Sequence, residues 1–284
     1  MRQIHPDAHQ FNLDLAGSDE IALFLASAAV EAGPAVMSVF EQGGEIWWKG
    51  DGSPVTLADQ RAEAIICGKL AQIVPPVSVV AEESATSGKP AAVGERFLLV
   101  DPLDGTKEFL SRNGEFTINV ALIEKGRPVA GAVYAPALGR LWFGGEHAFM
   151  CEAAVGAGLP AQSAWIPIRP RRARNNLVVL ASRSHGDPQT EAFLARLPVA
   201  ERQAKGSSLK FCVIAEGLAD VYPRFGPTME WDTAAGDAVL RAAGGVVLDP
   251  SGKALAYGKT ANGLRNGAFI AWGDAETAGA FCRQ

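Results

Sequence analysis

The stretch Val100-Asp101-Pro102-Leu103-Asp104-Gly105-Thr106 decides how the chain is read. The apolar run before it, Phe97-Leu98-Leu99-Val100, has strand character and delivers the backbone to Asp101. Pro102 fixes its own φ and biases Asp101 to an extended conformation, so the carboxylate leaves the strand end in a defined direction. Asp104 follows three residues on. Gly105 permits a tight turn, and Thr106 opens a predicted helix through Lys107-Glu108-Phe109-Leu110. Two carboxylates with the Leu103 carbonyl between them make an oxygen-only donor set, which suits Mg2+ rather than zinc. Backbone N–H groups at the helix start, around Gly105 and Thr106, would hold a phosphate. Metal-binding oxygens beside a phosphate cradle are the parts of metal-assisted phosphoryl hydrolysis. Taken alone, D-x-x-D-G also describes an acidic turn that caps a helix, so the rest of the chain has to choose.

Upstream, Val77-Ser78-Val79-Val80-Ala81 reads as a strand that ends on Glu82-Glu83. It repeats the arrangement at Asp101, and two neighbouring strands of this kind would bring Glu82 and Asp101 together at one end of a sheet. Before it, Thr56 begins a predicted helix with an inward face of Ala62, Ile65, Ile66, Leu70 and Ile73, stopped by Pro75-Pro76. Asp59, three residues after Thr56, is placed to cap that helix. An earlier helix starts at Ser18, with Asp19 and Glu20 in its first turn and an apolar face running from Ile21 to Phe40. Gly33-Pro34 lies inside that pattern and predicts a kink or a break. Residues 1–17 have no period and read as a mobile or loosely packed lead-in.

Downstream, 116–123 and 128–134 flank Glu124-Lys125-Gly126-Arg127 as a predicted hairpin, and 140–150 adds strand-like stretches around Gly144-Gly145. From 153 to 176 the chain turns to Pro, Gly, Ala and Arg without a period, which places a boundary near residue 170. The expected organisation is a lead-in (1–17), an α+β metal- and phosphate-binding part (18–170) and an α/β part (171–284). In the last part, strands at 177–181, 219–222, 246–248 and 268–272 alternate with helices at 188–197, 207–216 and 231–243.

With 284 residues, 48% of them hydrophobic, the chain can build a generous core. Its net charge of −5, with acids and bases interspersed, leaves no electrostatic footprint for nucleic acid. Cys67, Cys151, Cys212 and Cys282 are too widely spaced for a metal or redox motif and read as free thiols in a reducing compartment. Neither an apolar run of membrane-spanning length nor a signal peptide is apparent, so a cytoplasmic enzyme is expected, with peripheral membrane contact left open.

Trp231-Asp232-Thr233-Ala234-Ala235-Gly236 starts a further helix with an aspartate in its first turn. With this motif added, Asp59, Glu82-Glu83, residues 101–106 and residues 231–236 stand in an order that resembles the lithium-sensitive, magnesium-dependent phosphatases of the inositol monophosphatase superfamily. The resemblance covers roughly residues 20–272. It is closest to the 3′(2′),5′-bisphosphate nucleotidase branch, through 101–109, 112–119, Val133-Tyr134-Ala135-Pro136, Ser182-Arg183-Ser184-His185, 206–212 and 222–227.

The resemblance implies a layered αβαβα sandwich of the inositol monophosphatase and fructose-1,6-bisphosphatase type. It implies removal of the 3′-phosphate from adenosine 3′,5′-bisphosphate, a by-product of sulfate activation, by in-line attack of an activated water. One Mg2+ would take Glu82, Asp101 and the Leu103 carbonyl, and a second Asp101, Asp104 and Asp232. A weaker third would sit near Glu82 and Asp59, with Mn2+ a possible substitute and Li+ inhibitory. Thr106, polarised by Asp59, would orient or deprotonate the water beside Glu82. Gly105, Thr106 and Asp232 would contact substrate, and His185, Ser207, Ser208, Lys210 and Arg224 would grip the part of the bisphosphate that does not react. Alternatives are an inositol or sugar phosphatase with the same site and a non-catalytic nucleotide sensor; the intact Thr106 and Asp59 speak against the latter. The expected partner is a small phosphorylated molecule, bound by a monomer or homodimer.

Overall fold

A computed structural model describes residues 10–43, 46–48, 54–86, 88, 93–173, 175–182 and 188–281. Helix α1 (Ser18–Gln42) is capped by Gly17 rather than by Ser18: the Gly17 N–H donates to Glu20 Oε2 at 2.9 Å. Asp19 turns away from the helix and accepts from the N–H groups of Glu146 and His147 at 2.8 and 2.9 Å. α1 runs unbroken through Gly33-Pro34, where the sequence predicts a kink. Packing is the reason. A Cβ on Gly33 would lie 2.6 Å from Tyr134 Cε1, so the missing side chain admits a buried ring, while exposed Pro34 removes one helical N–H on the solvent side. By length and composition α1 is also long and apolar enough to cross a membrane, contrary to the sequence expectation. Here it is a core helix, with Leu25, Ala28, Ala29, Ala32 and Val36 buried.

Helix α2 (Leu57–Leu70) has Thr56 as its N-cap, and Asp59 Oδ2 accepts from the Thr56 N–H at 2.8 Å. Ala62, Ile66 and Leu70 face inward as expected, but Ile65 is 38% exposed, and Ile73 belongs to a short strand, Ile73–Val74. Glu63 takes an inward position instead. The lead-in is packed from residue 10 onward: Phe11–Asn12 pairs parallel with Ile73–Val74, Phe11 stacks on Phe24 at 4.4 Å, and Leu13 is buried. Residues 1–9 lie outside the described residues.

Seven strands, Ser78–Ala81, Arg96–Asp104, Thr117–Glu124, Arg127–Ala135, Arg140–Gly144, Ala148–Glu152 and Ile166–Pro167, lie side by side in chain order, and only the first two are parallel. The expected hairpin turns at Lys125 and Gly126, whose φ values of 49° and 73° match the twist of the strands they join. Short helices α3 (Glu82–Thr86) and α4 (Thr106–Leu110) follow the first two strands. Successive residues of the second strand alternate between two cores. Leu98 and Val100 join the residues of α1 and α2, whereas Phe97 and Leu99 face the second half of the chain.

That half forms α5 (Pro188–Leu194), α6 (Leu209–Ala215), α7 (Glu230–Ala243), α8 (Ala275–Phe281) and a five-stranded sheet. Its strands run across the sheet as Val199–Lys205, Leu177–Ser182, Val221–Arg224, Phe269–Trp272 and Val246–Leu248. Leu209, Phe211 and Cys212 of α6 and Trp231, Ala234 and Ala235 of α7 share one core with residues of both sheets. On the far face Phe193 and Leu194 of α5 and Ala278 of α8 cover Leu177, Val221 and Trp272. The order of layers is therefore α1/α2, sheet, α6/α7, sheet, α5/α8, the expected αβαβα sandwich, with helices α5 and α6 shorter than the sequence predicts.

Candidate active site

Strand Ser78–Ala81 pairs in parallel with Arg96–Asp104 in the register Ala81↔Val100, so the next residues, Glu82 and Asp101, leave neighbouring strands side by side. Asp101 is 1% exposed, and its Oδ1 accepts from the Leu103 N–H at 3.0 Å. Against the next strand, Asp101 pairs with Asn119 and Asp104 with Thr117, three residues set against two. That extra residue is a bulge. In an unbroken strand residues i and i+3 point to opposite faces, and the bulge turns Asp101 and Asp104 to the same one. Gly105 follows in the left-handed region (φ 89°), where a Cβ would sit 3.2 Å from Ser207 Cβ and 3.3 Å from the Glu115 carbonyl.

Asp232 arrives from the other half, in the first turn of α7, where its Oδ2 also accepts from the Met229 N–H at 2.8 Å. Burial pushes the Asp101 carboxyl well above the usual range, and the charges of Glu82, Asp104 and Asp232 push it further. Asp232 is raised in the same way, by burial first and the Asp104 charge next. Four carboxylates held close enough to repel one another, with oxygen as the only donor type, fit a hard divalent cation.

Glu82, Asp104 and Asp232 border a cleft of about 330 Å³ whose lining also includes Gly105, Thr106, Ser207, Lys205, Lys210, Phe211, Tyr222 and Arg224. Thr106 therefore reaches the cleft, yet among the described residues no hydrogen bond joins it to Asp59. Asp59 Oδ2 is taken by the N–H and Oγ1 of Thr56, both at 2.8 Å. Burial raises the Asp59 carboxyl to about 6, with a smaller contribution from the Glu82 charge. The helix-capping reading of Asp59 describes its contacts; the expected polarisation of Thr106 is not among them.

The expected phosphate grip is only partly presented to the cleft. Lys210 sits at the start of α6, but its ammonium donates to the carbonyls of Ser207 at 2.7 Å and Lys205 at 3.2 Å, over the Tyr222 ring. Burial lowers it to about 8. Ser208 is 1% exposed, with its N–H and hydroxyl turned to Asp104 and the Asp232 carbonyl. Arg224 Nη2 donates to the Pro227 carbonyl at 3.2 Å, and its Nε is a buried donor without a partner among the described residues. His185 lies outside the described residues.

Three supporting residues escape a reading of the sequence. Glu63 accepts from the Glu83 N–H at 2.8 Å, the Ser84 N–H at 3.0 Å and the Ser84 hydroxyl, and so secures the turn that carries Glu82. Its signal was its place four residues after Asp59 on the inward side of α2. Thr117 and Asn119 lie in the 112–119 stretch of the resemblance without a role of their own; they stand opposite Asp104 and Asp101 and bond to Ser207 and Ser208, a role that only the strand register reveals.

The family model described as "Inositol monophosphatase family" matches residues 18–278. The chain belongs to this family. Its members' name makes it a phosphatase, and the converged carboxylates agree with the metal dependence of the family. Among curated relatives, the 3′(2′),5′-bisphosphate nucleotidase CysQ of Salmonella typhimurium is 46% identical over 231 residues, 81% of this chain and 90% of that protein. The enzyme of the same name from Escherichia coli K12 is 45% identical over the same shares. The crystal structure of CysQ from Bacteroides thetaiotaomicron, described as a bacterial member of the inositol monophosphatase family, superposes with a TM-score of 0.77 at 38% identity, covering 89% of this chain and 97% of that one.

Proposed function

We propose that the protein is a Mg2+-dependent 3′(2′),5′-bisphosphate nucleotidase of the cytoplasm, converting adenosine 3′,5′-bisphosphate to AMP and phosphate. Relatives of that name at 45–46% identity support the reading. The observation that carries it is Arg224 in the lining of the same cleft. Its buried Nε has no partner among the described residues, and the aromatic residues Phe211 and Tyr222 line the cleft with it. A bisphosphate nucleotide brings a second phosphate for the guanidinium and a base for the aromatic wall. Inositol 1-phosphate brings neither.

Glu82, Asp101, Asp104, Asp232 and the Leu103 carbonyl would hold two Mg2+, with a weaker third by Glu82 and Asp59; Mn2+ is the expected substitute and Li+ an expected inhibitor. When bound, the metal supplies charge neutralisation for the phosphate and a lowered pKa for water. Thr106, whose hydroxyl lies on the cleft without a protein hydrogen-bond partner among the described residues, orients the attacking water and accepts its hydrogen bond. Asp59 acts on this corner through its charge and by fixing the start of α2. Gly105 and Thr106 receive the reacting phosphate at the entry to α4. The substrate partner is this small nucleotide.

The test is phosphate release from adenosine 3′,5′-bisphosphate and inositol 1-phosphate by the wild type and by Arg224→Ala. Losing one charge-assisted contact costs about 1.5–3 kcal/mol, so KM for the bisphosphate should rise about 10- to 150-fold. Slow hydrolysis of inositol 1-phosphate should hardly change. Equal losses on both substrates, or better wild-type turnover of inositol 1-phosphate, would overturn the nucleotidase reading.

A further inference from the structure

Ser207 and Ser208 sit at the cleft beside a candidate metal ligand, and their hydrogen bonds run to the protein. Asp104 Oδ2 receives the Ser207 hydroxyl at 2.6 Å, the Ser208 N–H at 2.7 Å and the Ser208 hydroxyl at 3.0 Å. Among the described residues no donor reaches Asp104 Oδ1. Asn119 Nδ2, which can only donate, points at Ser208 Oγ at 3.1 Å, leaving the Ser208 proton for Asp104 or for the Asp232 carbonyl at 2.8 Å. Thr117 Oγ1 lies 2.5 Å from Ser207 Oγ, and with the Ser207 proton committed to Asp104, Thr117 is left to donate to Ser207 or to Asn119 Oδ1. The Ser207 hydroxyl and the Ser208 N–H are thus both directed at Asp104 Oδ2.

Ser207 also adopts a left-handed backbone, φ 51°, which a residue with a Cβ enters at a cost and keeps only where its surroundings impose it. We infer that Ser207 and Ser208 are positioning residues for Asp104: they saturate Oδ2 and leave Oδ1 as the oxygen offered to a cation. This rests on the assignment of Asp104 as a metal ligand. It also links the halves, because Asp104, Thr117 and Asn119 belong to the seven-stranded sheet, while the serines and Asp232 belong to the second half. A metal-binding carboxylate is thus oriented by the segment that enters α6, and metal affinity depends on how the two halves are joined.

The test is a calorimetric titration of the full-length protein with Mg2+ alone, without substrate. Ser207→Ala and Ser208→Ala should weaken Mg2+ binding about 10- to 100-fold, the scale for losing a residue that orients a ligand, and move KM for the bisphosphate at saturating Mg2+ by less than about twofold. Unchanged Mg2+ affinity together with a raised KM would make both serines substrate ligands and overturn the inference. Ser208→Ala leaves the buried Asn119 amide without its acceptor; if that variant does not fold, half-buried Ser207→Ala decides alone. Asp104→Asn separates the two layers of the argument. It should abolish the same Mg2+ site, and wild-type affinity there would remove the ligand assignment and the inference with it, whatever the serine variants do.

Discussion

Asp101 shows how one side chain can be unfavourable for the fold and required by the site. Its strand is apolar up to Val100, and its carboxyl is buried beside three other acids. Asp101→Asn keeps an oxygen for the Leu103 N–H and removes a charge that burial and repulsion both oppose. Without metal the variant should melt higher than the wild type at neutral pH; with Mg2+ it should gain little and lose nearly all turnover. A folded variant with wild-type kcat at saturating Mg2+ would show that Asp101 is not a ligand. Thr106 is the complementary case, lining the cleft with a hydroxyl that bonds to none of the described residues. Thr106→Ala should lower kcat about 10²-fold or more, the scale of a lost acid–base contribution, with KM less changed. If KM rises while kcat holds, Thr106 is a phosphate clamp. At this scale the sequence was informative because the ligands are local. Strand ends, a proline and a bulge direct Glu82, Asp101 and Asp104, whereas the bonds of Ser208 depend on partners 89 and 104 residues away.

Within the elements, adjacent positions of α1 separate propensity from packing. Gly and Pro are the two worst helix residues, and the sequence alone marks Gly33-Pro34 as a break. Replacing each by Ala should give opposite signs. Pro34→Ala restores an N–H on an exposed side and should stabilise the protein by about 1–3 kcal/mol. Gly33→Ala should destabilise despite a propensity gain of about 1 kcal/mol. Its Cβ would fall 2.6 Å from Tyr134 Cε1, and that ring is fully buried with its hydroxyl bonded to the Ala153 carbonyl at 3.0 Å. Urea unfolding midpoints check both; a stabilised Gly33→Ala would mean the ring has room to move. The same logic explains what else escaped notice. Val199–Lys205 is an edge strand with the polar sequence Val-Ala-Glu-Arg-Gln-Ala-Lys, and its exposed side chains lack the alternation that a half-buried strand displays. Glu63 is a charge on an inward helical face, justified only by the N–H groups of the turn that carries Glu82.

Across the whole molecule, the price of assembling the site is electrostatic and should appear as a pH dependence that metal reverses. Asp101 and Asp232 are raised by burial and mutual repulsion, and Asp59 is raised from 3.8 to about 6. A carboxyl raised on folding binds its proton more tightly in the native state than in the unfolded one, so stability increases as pH falls through that window. For Asp59 alone the difference is on the order of 3 kcal/mol between about pH 6 and pH 4. Asp237, paired with Arg241 at 2.5 Å and also raised to about 6, adds the same sign away from the site. Below about pH 4 the trend should turn over, because Asp19, Asp249 and Asp274 are held low by their hydrogen bonds and lose that stabilisation on protonation. The chelated protein should therefore melt higher at pH 5.5 than at pH 7.5. With saturating Mg2+ the order should reverse, since the cation requires ionised ligands and its binding weakens as protons compete. Melting curves at the two pH values, each with Mg2+ and with chelator, measure all four states. If the metal-free protein melts higher at pH 7.5, the carboxylates are not held in mutual repulsion and the case for a divalent cation between the two halves fails.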